Sequence, residues 1–323
     1  MSEFVSASAT DLSRLESLIG SPDAAVRLVA VREAADACDP DLLPVIERAL
    51  HDAEAEVRLE AVSALDVLGD AQCVPPLIGA LHDQDPDVRR EAAKALAELK
   101  DPAGAAPLLK AVEATADPWI LAALLEALKP LRSVDALPAA TARLDHADPQ
   151  VRTAAVGVLG YLQSAQGVGP LIALSAHDTA AAVRHAALRG LVHGEAAQVA
   201  PAALAALRDA EWIIRAEAAA ILGKLRHAEA APVLTGLLDF EPQWQVREQA
   251  VEALGLLRHK PAVPAIGRSL ASPVSNLRKA AVIALGRIGD HSVRLLLASV
   301  REDPDAQVRK LAGQLLTELE TGS

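Results

Sequence analysis

Arginine is the residue whose spacing in this chain is least accidental. Arg27, Arg58, Arg89, Arg152, Arg184, Arg215, Arg247, Arg278 and Arg309 fall on a period of 31 or 32 residues, and Leu121 holds the one place between Arg89 and Arg152 where the arginine is absent. A guanidinium offers a rigid fork of N–H donors that suits a carboxylate bidentately. An arginine in the first turn of a helix also faces the positive end of the helix dipole, at a cost of about 0.3–1 kcal/mol. Nine repetitions of that placement call for partners. Asp23, Glu54, Asp85, Asp148 and Asp305 lie within a few residues of these arginines, so the spacing predicts an Asp–Arg network joining neighbouring turns. The arginines are read as scaffold.

Other reactive side chains are sparse. His51, His82 and His177 recur at the ends of segments, and His227 and His259 occupy turns. None has the His-x-x-x-His or paired-Cys spacing of a metal site. Cys38 and Cys73 occupy different places in the period, which predicts neither a disulfide nor a metal framework. The chain has no phosphate-binding glycine loop, nucleophile elbow or dinucleotide fingerprint, so no catalytic residue, metal or cofactor is expected. Trp119, Trp212 and Trp244 all stand just before the marker position, and Trp212 and Trp244 keep the same offset from their arginines. They fit either packing beside the turn or an aromatic anchor pair for a partner.

The elements that position these residues follow from hydrophobic periodicity. Val88, Ala92, Leu96 and Leu99 form one stripe of a 3.6-residue helix after the Asp85-Pro86 turn. Alanine stands three residues after the marker in nine of ten units, and leucine seven residues after it in nine. A small residue there lets helix axes approach at the short end of roughly 8–10 Å. A preceding helix in most units carries a proline near its start, as Pro44, Pro76, Pro107 and Pro264 do. Each unit is therefore a helix pair. The expected organisation is a lead over 1–10, one repeat domain over 11–319 and a tail over 320–323.

Hydrophobic residues make up 51% of the 323-residue chain but aromatics only 2%, which suits closely stacked helices rather than a sheet sandwich. A formal net charge of −12 argues against nonspecific binding to nucleic acid or an anionic membrane. The first residues lack a signal-peptide pattern and no apolar run reaches membrane-spanning length, so a cytoplasmic location is expected.

The form Val74-Pro75-Pro76-Leu77-Ile78, then Asp85-Pro86-Asp87-Val88-Arg89, then Ala92-Ala93 and Ala95-Leu96, resembles HEAT repeats. The units are shorter than the roughly 40–47 residues usual for that class. They look like the compact HEAT-like repeat associated with phycobilisome lyases, over about residues 11–319. The resemblance implies an all-α, right-handed solenoid whose second helices line a concave face against which a protein partner lies. It also implies two alternatives: a chromophore lyase or cofactor-maturation factor, and a DNA-binding HEAT-like glycosylase, which needs the basic groove that the charge argues against.

The expected function is a non-catalytic scaffold or adaptor. On the second helices, places one, five and nine residues after the marker point away from the core stripe. They hold His185, Arg189 and His193 in one unit, and the ninth place gives Tyr161, His193 and Lys224 across three successive units. That polar row is the expected partner surface, suited to an acidic segment, with histidine tightening binding as pH falls toward about 6. The Trp212–Trp244 ridge is the second candidate.

Overall fold

A computed structural model describes residues 9–37, 39–290 and 292–321. Cys38 and most of the expected lead lie outside the described residues, as do the last two residues of the expected tail. All regular elements among them are helical, and the twenty α-helices come as ten pairs.

The chain forms two compact units. The first, Met1–Gly167, contains α1 (Ala9–Ile19), α2 (Ala24–Ala37), α3 (Leu43–Ala49), α4 (Ala55–Leu68), α5 (Val74–Ala80), α6 (Pro86–Glu98), α7 (Ala105–Ala114), α8 (Pro118–Leu131), α9 (Ala136–Thr141) and α10 (Pro149–Leu162). The second, Val168–Ser323, takes most of α11 (Ala165–His177), then α12 (Ala181–Gly190), α13 (Ala196–Ala206), α14 (Trp212–Lys224), α15 (Ala231–Phe240), α16 (Trp244–Leu256), α17 (Val263–Ser269), α18 (Ser275–Ile288), α19 (Val293–Ala298) and α20 (Ala306–Thr321). Odd helices open each repeat and even helices close it. In the first unit the even helices stack in the order α2, α4, α6, α8, α10, and in the second α12, α14, α16, α18, α20. The helices thus begin at Ala9 and run to Thr321, a little beyond both ends of the expected repeat domain.

The second helix of repeat three shows why these residues form this element. The Asp85 carboxylate accepts from the N–H groups of Asp87 and Val88 and so caps α6. Pro86 follows at the first helical position, where its missing N–H costs nothing. Val88, Ala92, Leu96 and Leu99 then point inward and are at most 4% exposed. Full burial of a leucine such as Leu96 contributes about 2 kcal/mol. Gly69 and Gly289 end α4 and α18 in the left-handed conformation, with φ of 64° and 65°. Arg132, Gln163, Arg226 and Arg258 adopt the same left-handed geometry after other second helices.

The alanine three places after each marker is completely buried wherever it occurs, from Ala30 to Ala312, and Leu124 is as well. Further along, the second helices approach closely. A β-carbon on Gly223 would lie 2.7 Å from the Cα of Ala253, and one on Gly255 would lie 2.8 Å from the Cα of Ala284.

The arginines join successive turns, but through acids other than those the spacing suggested. Arg58 donates from Nη1 to the carbonyls of Asp52 and Ala53 in its own turn, at 2.8 and 3.1 Å. Those bonds aim the remaining fork at the next repeat, where Nε and Nη2 grip the two oxygens of Asp83 at 2.7 and 2.9 Å. Arg27 does the same with Asp52, Arg184 with Asp209, Arg215 with Glu241 and Arg278 with Asp303. The acids proposed from spacing serve mainly within their own turns instead, although Asp305 also pairs with Lys279 at 3.1 Å. Asp85 and Asp148 cap their own helices, and the Asp23 and Asp305 carboxylates accept from backbone N–H groups in their own first turns. Leu121, in the repeat without arginine, is 2% exposed, so apolar packing replaces the charged link there.

Candidate functional site

The proposed surface residues fall in both compact units, and each unit is taken by itself. In the second, His185 lies on α12 and reaches the neighbouring second helix, its Nε2 3.8 Å from Oε2 of Glu217 on α14. That distance is too long for a hydrogen bond. The His185 imidazole is the main influence holding the Glu217 carboxyl below its usual range, against the opposing effect of burial, with Arg189 and Lys224 adding to the pull. Arg189 closes α12 and Lys224 closes α14, both exposed. Cations in the last helical turn are favoured by the negative end of the dipole.

His193 does not continue the helical stripe. α12 ends at Gly190, and His193 sits exposed in the turn that follows. Glycine is about 1 kcal/mol worse than alanine in a helix, and a second glycine, Gly194, stands four residues on. His185 and Arg189 therefore share a helical face, while His193 is set by turn geometry.

Trp212 and Trp244 are the first residues of α14 and α16, inside the helices rather than in the turns before them. Trp212 is 36% exposed, beside the exposed Ile213, and Trp244 is half-buried. Phe240, at the end of α15, is 87% exposed. Nothing in the sequence marks it, because an apolar residue at the end of an apolar helix has the pattern of core.

In the first unit, Tyr161 lies near the end of α10 and is half-exposed. The Lys129 ammonium of α8 stands 5.8 Å from its ring centroid, within cation–π range, and also pairs with Glu126 one turn earlier on its own helix. Neither Lys129 nor Glu217 belonged to the expected site. Their signal was available, since each lies on the second helix next to a chosen residue.

These groups can hold charged and aromatic side chains by ion pairing and stacking. Cys73, the thiol among the described residues, is buried, and burial pushes its pKa up, away from the reactive thiolate. Among the described residues no group of three or more His, Cys, Asp and Glu is arranged to hold a metal ion. No helix among them is long and apolar enough to cross a membrane.

A family model described as HEAT repeats matches residues 12–70, 44–129, 105–192, 168–254 and 237–317. Among solved structures, an engineered protein is similar over 96% of this chain and 99% of its own, with 21% identity and a TM-score of 0.56. The Kap121p mutant D353K/E396K/D438K is similar over 98% of this chain and 42% of its own, with 14% identity and a TM-score of 0.57. YibA of Escherichia coli is similar over 89% of this chain and 95% of its own, with 17% identity and a TM-score of 0.51. At these identities the likeness is one of fold. A search among curated proteins finds no match.

Proposed function

From the premise that the chain belongs to the HEAT-repeat family, we propose that it is a non-catalytic scaffold or adaptor that holds a protein partner on the outward faces of its second helices. HEAT repeats commonly mediate protein interactions, which is the background for this reading. The observation that carries it is the group formed by His185, Arg189, Glu217 and Lys224 on adjacent helices α12 and α14. His185 meets the half-buried Glu217 carboxylate and Arg189 and Lys224 act on it electrostatically, so three basic side chains stand against one acid and leave basic capacity for an acidic segment of a partner. His193, Trp212 and Trp244 in the same compact unit complete the proposed contact set, and Tyr161 of the other unit is a separate candidate.

The experiment is affinity capture from the source cells with the native chain and with a His185→Ala, Arg189→Ala, Lys224→Ala variant of matched melting temperature. Loss of the captured partner by about tenfold or more is expected for removal of several charged contacts. Undiminished capture by the folded variant overturns the reading and moves attention to the Trp212 and Trp244 positions. The period of 31 or 32 residues further supports placing these repeats in the compact, phycobilisome-lyase-like subclass. If a lyase activity accompanies it, coexpression with a bilin and a candidate apoprotein gives covalent attachment.

A further inference from the structure

The arginine ladder is broken between repeats three and four, and two open clefts flank the break. Arg89 is oriented like its sisters, with Nη1 donating to the carbonyls of Asp83 and Gln84 at 2.7 and 3.2 Å. The place in the next repeat that elsewhere holds the gripped carboxylate is Thr115. Its hydroxyl accepts the Asp117 N–H at 3.2 Å, the same local bond that Asp83 accepts from Asp85. Threonine keeps the turn but supplies no anion, and among the described residues no carboxylate pairs with Arg89.

One cleft, of about 530 Å³, is lined by Arg89, Arg90, Asp83, Pro86 and Trp119. The other, of about 520 Å³, runs between α5 and α7 and is mainly apolar, with Pro75, Ile78, Pro107 and Leu124 among its walls and Lys110 and Thr115 at its polar side. His82 and Ile120 are walls of both. Trp119 is 38% exposed, an uncommon outlay of indole surface in a chain with three tryptophans.

We propose that this break is a docking site for a protein segment carrying a glutamate or aspartate close to a bulky apolar residue. The carboxylate takes the place on Arg89 that the next repeat's acid takes elsewhere in the ladder, and the apolar residue enters the cleft beside Ile78 and Leu124. Charge complementarity selects the acidic occupant. Of the acids lining the clefts, Asp83 is already gripped by Arg58, and Asp117 accepts the N–H groups of Trp119 and Ile120. Arg90 pairs with Asp87 on its own helix. Arg89 is left without a carboxylate, with Lys110 and His82 nearby on the cleft walls. The ladder itself supplies the template for a side-chain carboxylate as the ligand: Arg27, Arg58, Arg184, Arg215 and Arg278 each hold one bidentately. The second break, Arg247 facing Ser272, differs because the Arg247 Nε is itself buried without a hydrogen-bond partner and so is closed to an incoming group.

The inference shares with the proposed function only the premise that the occupant is a protein segment, and it concerns a different surface. Its test uses synthetic peptides of about ten residues. Each carries one Glu at a varied distance from a Leu or Phe and is compared with its Glu→Gln mate by fluorescence anisotropy on the full chain. A subset of Glu peptides is expected to bind about tenfold or more tighter than their mates. Arg89→Gln is expected to remove that preference. Thr115→Asp is expected to remove it too, by filling the fork from within, while raising the melting temperature. Ser272→Asp, which offers a carboxylate to Arg247 instead, stabilises without changing peptide affinity. Equal binding of Glu and Gln peptides, or a preference that survives Thr115→Asp, overturns the proposal. A short-chain fatty acid binding more tightly than every peptide also overturns it, in favour of a small-molecule site. The His185, Arg189, Lys224 variant is expected to bind the peptides normally, so failure here and failure of partner capture are separate results.

Discussion

A guanidinium in this protein is fixed by two unlike sets of acceptors, and each limits what substitution can do. Nη1 of Arg278 is held by the Ser272 and Pro273 carbonyls, and its fork by both oxygens of Asp303 at 2.8 Å. Arg278 is 8% exposed and Asp303 7%. Removing one member strands the other in a poorly solvated place, so Arg278→Leu is expected to cost on the order of 3 kcal/mol. Arg309 has the two carbonyl bonds, to Asp303 and Pro304, and among the described residues no carboxylate pairs with it. Arg309→Leu is therefore expected to cost about 1 kcal/mol, the net worth of ordinary hydrogen bonds. Urea midpoints of the two variants measure the difference. Equal losses show that the cross-turn carboxylate contributes nothing beyond the carbonyl bonds.

At the scale of the helix, small residues set how closely second helices pack. Gly223 in α14 faces Ala253 in α16 with no room for a β-carbon, whereas a β-carbon on Gly236 in α15 meets nothing within 4 Å. The same Gly→Ala change should therefore act with opposite sign at the two sites. Gly236→Ala is expected to stabilise by about 0.5–1 kcal/mol through helix propensity and reduced freedom of the unfolded chain. Gly223→Ala is expected to destabilise by about 1–3 kcal/mol, because the helices must separate or shift to admit the methyl group. Thermal melts of the two single variants decide it, and stabilisation by both would show that the α14–α16 contact yields easily.

For the molecule as a whole, the cross-turn pairs make stability depend on acid. Asp52, Asp209 and Asp303 are held below the usual carboxylate range chiefly by their arginines. At Asp83 and Glu241 burial pushes upward most strongly, yet the arginine fork and the turn N–H bonds together keep them low. Asp305 is lowered to about 2, first by Lys279. A carboxylate with a depressed folded-state pKa binds its proton more readily when unfolded. Its contribution is complete above the unfolded value of about 3.9 and is lost as pH falls through the lower folded value. Asp66 and Glu248 are raised by burial and act in the opposite sense, gaining stability on protonation. The lowered group is the larger, so the melting temperature is expected to hold from pH 7 to about 5 and to fall steeply below about 4. The Arg278→Leu variant should show a shallower decline, and identical profiles would remove the pairs as the cause.

The sequence by itself determined the repeat, its helix pairs and their buried faces. Val88, Ala92 and Leu96 are buried as their spacing requires, because a helix turns hydrophobic periodicity directly into a face. Gly69 and Gly289 close their helices for an equally local reason, the left-handed backbone that glycine accepts freely. What the tertiary structure alone decided is which groups those faces bring together. Arg58 passes over Glu54, four residues away in its own turn, and grips Asp83, twenty-five residues on. Its Nη1 is already tied to its own turn, and only the stacking angle of the next repeat determines what lies before the rest of the fork. One trace of this could be read beforehand. The position six residues before each marker carries a side-chain acceptor in every repeat, from Ser21 through Thr115 and His146 to Asp303. Residue type decides whether that acceptor can be an anion, and Thr115 beside Arg89 cannot, but whether an anion there meets the preceding arginine depends on the distance between two turns that are neighbours in space and far apart along the chain.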